Sequence, residues 1–142
     1  MKSKSSTFTV EVSANPIDVL KLLRSVRDSG SGSTLLFMGT VRDQGRAGRV
    51  KEMNYEAYES MAVKEIGEIV QEAFQKWQLC RVAVVHRTGR LHLKQPSVAI
   101  AVSSPHRSDG FLACKFIIDS IKTKAPIWKK EILTDGREMW VE

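Results

Sequence analysis

Ser97-Val98-Ala99-Ile100-Ala101-Val102-Ser103 runs straight into Ser104-Pro105-His106-Arg107-Ser108-Asp109, and the join between the two decides the fold. The first half is an apolar, β-rich run bounded by serines, which predicts a strand. The second half is polar and holds Ser108 and Asp109, either of which can cap and start a helix. Phe111, Leu112, Lys115, Phe116, Ile118 and Ile121 are then read as the positions of that helix, and Pro126 follows its end. A strand delivering the chain to a helix N-terminus in so few residues implies mixed α and β structure. The backbone N–H groups at such a helix start can bind an anion, with His106 and Arg107 as added donors. The plainer alternative leaves Ser108 as a cap and the two cations in solvent.

Working outward, Arg81 to His86 predicts a strand on the N-terminal side, and Ile127 to Leu133 and Glu138 to Val141 predict a closing hairpin around Asp135-Gly136. Near the N-terminus Thr7 to Val12 alternates like a strand. Asn15-Pro16 predicts a helix start with Asn15 as cap, Pro16 at the first position and Asp18 in the first turn. Ile17, Leu20, Leu23 and Val26 would be its buried stripe. The Ser/Gly tract 29–33 ends that helix. Thr34 to Arg42 and Val50 to Tyr58 predict two strands around the loop Asp43 to Gly48. Ser60 is expected to cap a helix of about four turns to Trp77, with Met61, Ile66, Ile69, Val70, Ala73 and Phe74 apolar. Hairpins and crossovers together make α+β the expected class.

The 142 residues are the size of one domain, so residues 1–142 are read as a single unit. The composition, 42% hydrophobic and 27% charged, excludes disorder and collagen-like repeats. No apolar stretch approaches the roughly 20 residues of a membrane span, and no signal core follows Met1, so the cytoplasm is the expected compartment. The formal charge of +6 predicts an anionic partner. Its basic residues cluster in Arg42 to Lys51, Arg81 to Lys94 and Lys122 to Lys130, which favours a concentrated anion site over a generally basic surface. Cys80 and Cys114 lie in apolar contexts and are expected to be buried free thiols. His86 and His92, single histidines in a strand and a turn, are read as structural. With no Cys/His/Asp pairing, neither metal nor cofactor is expected.

Lys122-Thr123-Lys124-Ala125-Pro126-Ile127-Trp128-Lys129-Lys130-Glu131 holds more cations than a helix end needs. A C-terminal lysine ordinarily complements the helix dipole. Here an aromatic stands directly beside two lysines at a strand start. In a strand Lys129 and Lys130 point to opposite faces, so only one can enter a given pocket. A lysine desolvated among other cations has a lowered pKa and can act as base or nucleophile. Arg42, at the end of Phe37-Met38-Gly39-Thr40-Val41-Arg42, can fork onto a phosphate or carboxylate.

Five motifs in order carry a resemblance: Phe-Met-Gly-Thr-Val-Arg, Tyr55-Glu56-Ala57-Tyr58 with Met61, Val85-His86-Arg87-Thr88-Gly89, Ser103-Ser104-Pro105-His106-Arg107, and the lysine-rich run 122–131. From about Leu35 to Val141 the chain resembles the molybdopterin synthase catalytic (large) subunit family. The resemblance implies an α/β hammerhead-like domain with an added antiparallel β subdomain, and a homodimer. It implies that each protomer binds a small ubiquitin-like sulfur-carrier subunit with a Gly-Gly C-terminus, giving a heterotetramer. It implies transfer of two sulfurs from the carrier's thiocarboxylate to cyclic pyranopterin monophosphate, forming the dithiolene of molybdopterin. Carried over by position, the substrate pocket would use Thr40, Val41, Arg42, His106, Arg107, Lys122, Lys129, Lys130 and Glu131, with Lys122 and Lys129 catalytic. The chain closes on Met139-Trp140-Val141-Glu142 rather than Gly-Gly, as expected of the acceptor subunit. The rival reading is a non-catalytic basic module that binds RNA or another polyanion. Aromatic residues at only 7%, with no stacking motif, weigh against it.

Overall fold

The structure is a computed structural model that describes residues 1–141; Glu142, the last residue of the C-terminal quartet, lies outside them. In chain order the elements are β1 (Lys2–Lys4), β2 (Phe8–Ser13), α1 (Val19–Ser25), β3 (Ser33–Thr40), β4 (Val50–Ala57) and α2 (Glu59–Lys76). There follow β5 (Arg81–Arg87), β6 (Gly89–His92), β7 (Pro96–Ser104), α3 (Arg107–Lys124), β8 (Ile127–Leu133) and β9 (Glu138–Val141). They form two sheets, ordered β1-β2-β5-β7-β3 and β6-β4-β8-β9. The first is antiparallel except for the β2/β5 pair, whose parallel register needs the long crossover that ends in α2. The second is antiparallel throughout. The α+β class and the added antiparallel sheet are both present.

Alternation explains the main core. Phe8, Val10 and Val12 of β2, Val82 and Val84 of β5, and Val98, Ile100 and Val102 of β7 point to one face of the first sheet. There α2 lays down Ala62, Val63, Ile66, Ile69, Val70 and Ala73, and α3 adds Ala113, Cys114, Ile117, Ile118 and Ile121. Each fully buried branched side chain contributes roughly 1.5–3 kcal/mol. The opposite face is covered by α1, through Leu22 and Val26 on Ala83, Ala99 and Ala101.

The helices differ from the sequence expectation in phase. Asp18, not Asn15, caps α1, its carboxylate accepting from the Lys21 N–H at 3.1 Å. Val26 is buried as expected and Ile17 and Leu23 pack partly buried beside it, but Leu22 takes the place expected of Leu20, which is 64% exposed. Helix α2 begins at Glu59 after Tyr58, with no side-chain cap, so Ser60 is not the cap and Met61 faces outward. Likewise α3 begins at Arg107, and neither Ser108 nor Asp109 caps it. Phe111 and Leu112 are exposed, and Lys115 is paired with Asp119 in solvent. The reason is close approach: a Cβ on Gly110 would stand 2.8 Å from Ser104 Oγ, so the small side of the helix meets the sheet and the bulky side turns out. Strands β1 and β6 were absent from the sequence reading. The closing hairpin is present, with Gly136 at φ +91°, a conformation that favours glycine.

Candidate functional site

The second sheet and the end of α3 meet over a cavity of about 140 Å³. The β4/β8 register sets Tyr55 opposite Lys129, and Lys122 arrives from the last turn of α3. His86 of β5 and Ser97 of β7 supply the other polar groups, and Ile118, Ile121 and Ile127 part of the apolar wall. Lys122 and Lys129, the two lysines expected to carry chemistry, therefore face one space.

Strand parity separates the lysine pair. Lys129 lines the cavity, whereas Lys130 lies on the other face of β8 with Nζ 4.8 Å from the centre of the Trp140 ring. Burial lowers the Lys129 pKa, and Lys122, Arg42 and Arg46 lower it further, while Glu131 works in the opposite direction. Arg42 and Arg46 thus act on the same point from the loop after β3. Glu131 is 6% exposed, its carboxylate packed against Gly45 so closely that a Cβ there would meet an oxygen at 2.6 Å. This contact joins β8 to the loop that carries Arg46.

The other expected site residues lie elsewhere. Val41 is buried with Met53 and Leu91, and both its backbone groups are bonded, the N–H to Gln95 O and the C=O from the Lys94 N–H. It is a core residue rather than a pocket wall. Thr40 is exposed at the irregular end of the β3/β7 pairing. His106 and Arg107 line a separate recess with Gly32, Pro105 and Ser108. From Arg107 to Lys122 the axis of α3 runs roughly 22 Å at 1.5 Å per residue, so one chain does not bring these two cation groups together.

Three polar cavity residues escaped the sequence reading of sites: Tyr55, His86 and Ser97. His86, read as structural, is 6% exposed, and its Nδ1 lies 3.0 Å from Arg87 O. Burial, with the nearby Lys122 cation, pushes its pKa down to about 4, although the bond to Arg87 acts the other way. The Tyr55 ring meets it edge-on, centroids 5.1 Å apart, and burial raises the Tyr55 pKa against a hydrogen bond with Ser97. The only signal in the sequence was that both residues fall inside the quoted motifs. Cys114 is buried as expected, its thiol pushed up to about 11 by desolvation. Cys80 is only half-buried, a correction, and burial followed by Asp28 raises its pKa as well. Among the described residues no three His, Cys, Asp or Glu side chains are grouped to hold a metal ion, and no helix is long and apolar enough to cross a membrane.

A family model described as MoaE protein matches residues 12–124. A molybdopterin synthase catalytic subunit from Thermoplasma volcanium is 43% identical over 92% of this chain and 96% of its own length. One from Haemophilus ducreyi is 41% identical over 94% of this chain and 88% of its own. Among solved structures, the molybdopterin synthase of Staphylococcus aureus superposes with a TM-score of 0.87 at 36% identity, covering 93% of this chain and 96% of that one. A profile spanning the sheet that carries His86 and the helix that carries Lys122, and relatives matched nearly end to end, leave one conclusion: the chain belongs to the MoaE family, the catalytic subunits of molybdopterin synthase.

Proposed function

We propose that the chain forms molybdopterin in the cytoplasm as one half of a two-subunit sulfurtransferase, with the cavity between Lys122 and Lys129 as its reaction chamber. A small ubiquitin-like carrier inserts its Gly-Gly thiocarboxylate there and cyclic pyranopterin monophosphate accepts the sulfur. The observation that carries this reading is the pairing of Lys122 and Lys129 across one cavity, within the field of Arg42 and Arg46. Both reactants are anions, and low-dielectric walls strengthen the pull of fixed cations on them. The thiocarboxylate sulfur is the nucleophile: a carbon–sulfur bond forms at an oxygen-bearing carbon of the pterin side chain as that carbon's bond to oxygen breaks, the oxygen leaving as phosphate or as water. Water then replaces sulfur on the carrier, which leaves as a carboxylate. Lys129, with its lowered pKa, is suited to move a proton at the reacting centre. Lys122, Lys129, Arg42 and Arg46 converge on this cavity, and the polyanion-module reading is not supported.

His106 and Arg107 enter through a second copy. In a homodimer the N-terminal end of one protomer's α3 closes the other's cavity and holds the substrate phosphate, so that each site needs both chains. Lys122→Ala and Lys129→Ala are expected to cut dithiolene formation by at least 10²-fold with little change in melting temperature. Arg107→Ala is expected to weaken substrate binding by about 10- to 150-fold, as for a lost charge-assisted hydrogen bond. Mixing Lys122→Ala with Arg107→Ala protomers should then restore part of the turnover. Near-wild-type turnover in both lysine variants would sink the reaction-chamber reading, and no recovery in the mixed dimers would sink the shared site.

A further inference from the structure

His86 has one nitrogen that nothing in the reaction scheme employs. Its Nδ1 lies 3.0 Å from the carbonyl oxygen of Arg87, and a carbonyl can only accept, so Nδ1 carries the hydrogen. The ring is neutral at physiological pH, held so by its burial and by the Lys122 cation across the cavity. Nε2 is then a bare lone pair. The side chain is 94% buried (6% exposed), lines the cavity, and is fixed in plane by the edge of Tyr55. No hydrogen bond reaches Nε2 among the described residues. Of its polar neighbours, Ser97 is already engaged, its Oγ donating to Gly39 O at 3.3 Å. Lys122 and Lys129 face the same space but supply positive charge, suited to an anion.

Nε2 opens onto the cavity without a protein partner, so it is free to accept from a ligand or from water. The geometry points to His86 as a ligand-binding residue of the cavity, Nε2 accepting a hydrogen bond from an N–H that lies beside the anionic group gripped by the two lysines. This assignment rests on the reading of the cavity as the reaction chamber. Both reactants offer that chemistry: the carrier's last amide N–H stands next to its thiocarboxylate, and the pterin edge carries N–H donors near the cyclic phosphate. Because the imidazole stays neutral across the physiological range, it works as a fixed acceptor and not as a proton shuttle. It would select a reactant with the donor over an anion lacking one.

The test uses the full-length protein with 15N-labelled histidine. The Nε2 resonance is followed on saturation with the carrier in its Gly-Gly carboxylate form, and separately with cyclic pyranopterin monophosphate. An upfield shift with one of them identifies the source of the N–H; no shift with either overturns the proposal. Two variants separate binding from architecture. His86→Asn can keep the donor to Arg87 O but withdraws from the cavity, whereas His86→Gln places an amide where Nε2 stood. Asn should weaken binding of the responding reactant about 3- to 10-fold, as for one neutral hydrogen bond, and Gln should recover part of that loss. Equal binding by wild type and His86→Asn overturns the proposal, and if Asn does not fold the labelled wild type decides alone. Should Lys122→Ala keep full turnover while the Nε2 shift persists, the lysine mechanism fails and the His86 assignment stands.

Discussion

Acidification is a direct probe of the buried histidine. His86 has a folded-state pKa of about 4 against an ordinary 6.5, with burial the leading cause and Lys122 adding to it. The unfolded chain therefore binds a proton first. The stability this group contributes is fully present above pH 6.5 and is lost as the pH falls from 6.5 towards 4. A gap of that size corresponds to about 3 kcal/mol in total, of which about 2 kcal/mol disappears between pH 7 and pH 5. For a chain of this length that is about 6 °C in melting temperature. The assay is urea unfolding of wild type and His86→Gln at both pH values. Other titrating groups are shared by the two proteins and cancel in the difference, so the wild-type advantage should shrink by about 2 kcal/mol on going to pH 5. A constant difference, to within about 0.5 kcal/mol, would show that the imidazole is not held neutral by its surroundings.

Three further outcomes are expected. Removing the Lys122 cation, as in Lys122→Met, should raise the Lys129 pKa, read as a shift to higher pH of its rate of amine labelling; burial remains, so the return to the ordinary lysine value should be incomplete. Gly32→Ala should cost roughly 1–3 kcal/mol in denaturant unfolding, because its Cβ would stand 2.5 Å from the Pro105 carbonyl oxygen and displace the turn that carries His106 and Arg107. The double variant Cys80→Ala, Cys114→Ser should lose roughly 0.5–3 kcal/mol yet keep its turnover when given loaded carrier, since both thiols are biased away from thiolate; a folded double variant that binds both reactants and forms no dithiolene would refute direct transfer.

Much of this was legible where period and chemistry agree. The alternation of Phe8, Val10 and Val12 marks a one-sided strand, and Asp135-Gly136 marks the last hairpin. The parity of Lys129 and Lys130 says that only one can enter the pocket. Helix phase was less accessible. Phe111 and Leu112 look like core residues by hydrophobicity alone, and only the close contact at Gly110 reveals that the helix turns its small side to the sheet. The cavity was hidden for another reason. Tyr55, His86, Ser97 and Lys122 lie on four elements distant in sequence, and nothing local in a strand histidine announces the lysine that will face it. Nor does adjacency in a motif list reveal that the Arg107 and Lys122 ends of one helix point into different spaces.

That helix is also a ruler. Its 18 residues hold a cationic station at either end, and its buried side is welded along the first sheet by Ala113, Ile117 and Ile121. One residue added to its middle would turn one end by about 100° relative to the other, putting either Lys122 or Arg107 on the wrong side. A whole added turn would preserve facing and stretch the gauge by roughly 5.4 Å, more than a hydrogen bond can span. Substitutions on its solvent side, at Phe111, Leu112 or Lys115, leave the gauge untouched. The spacing of the two stations is therefore a property of chain length, and the helix can vary in composition far more freely than in number of residues.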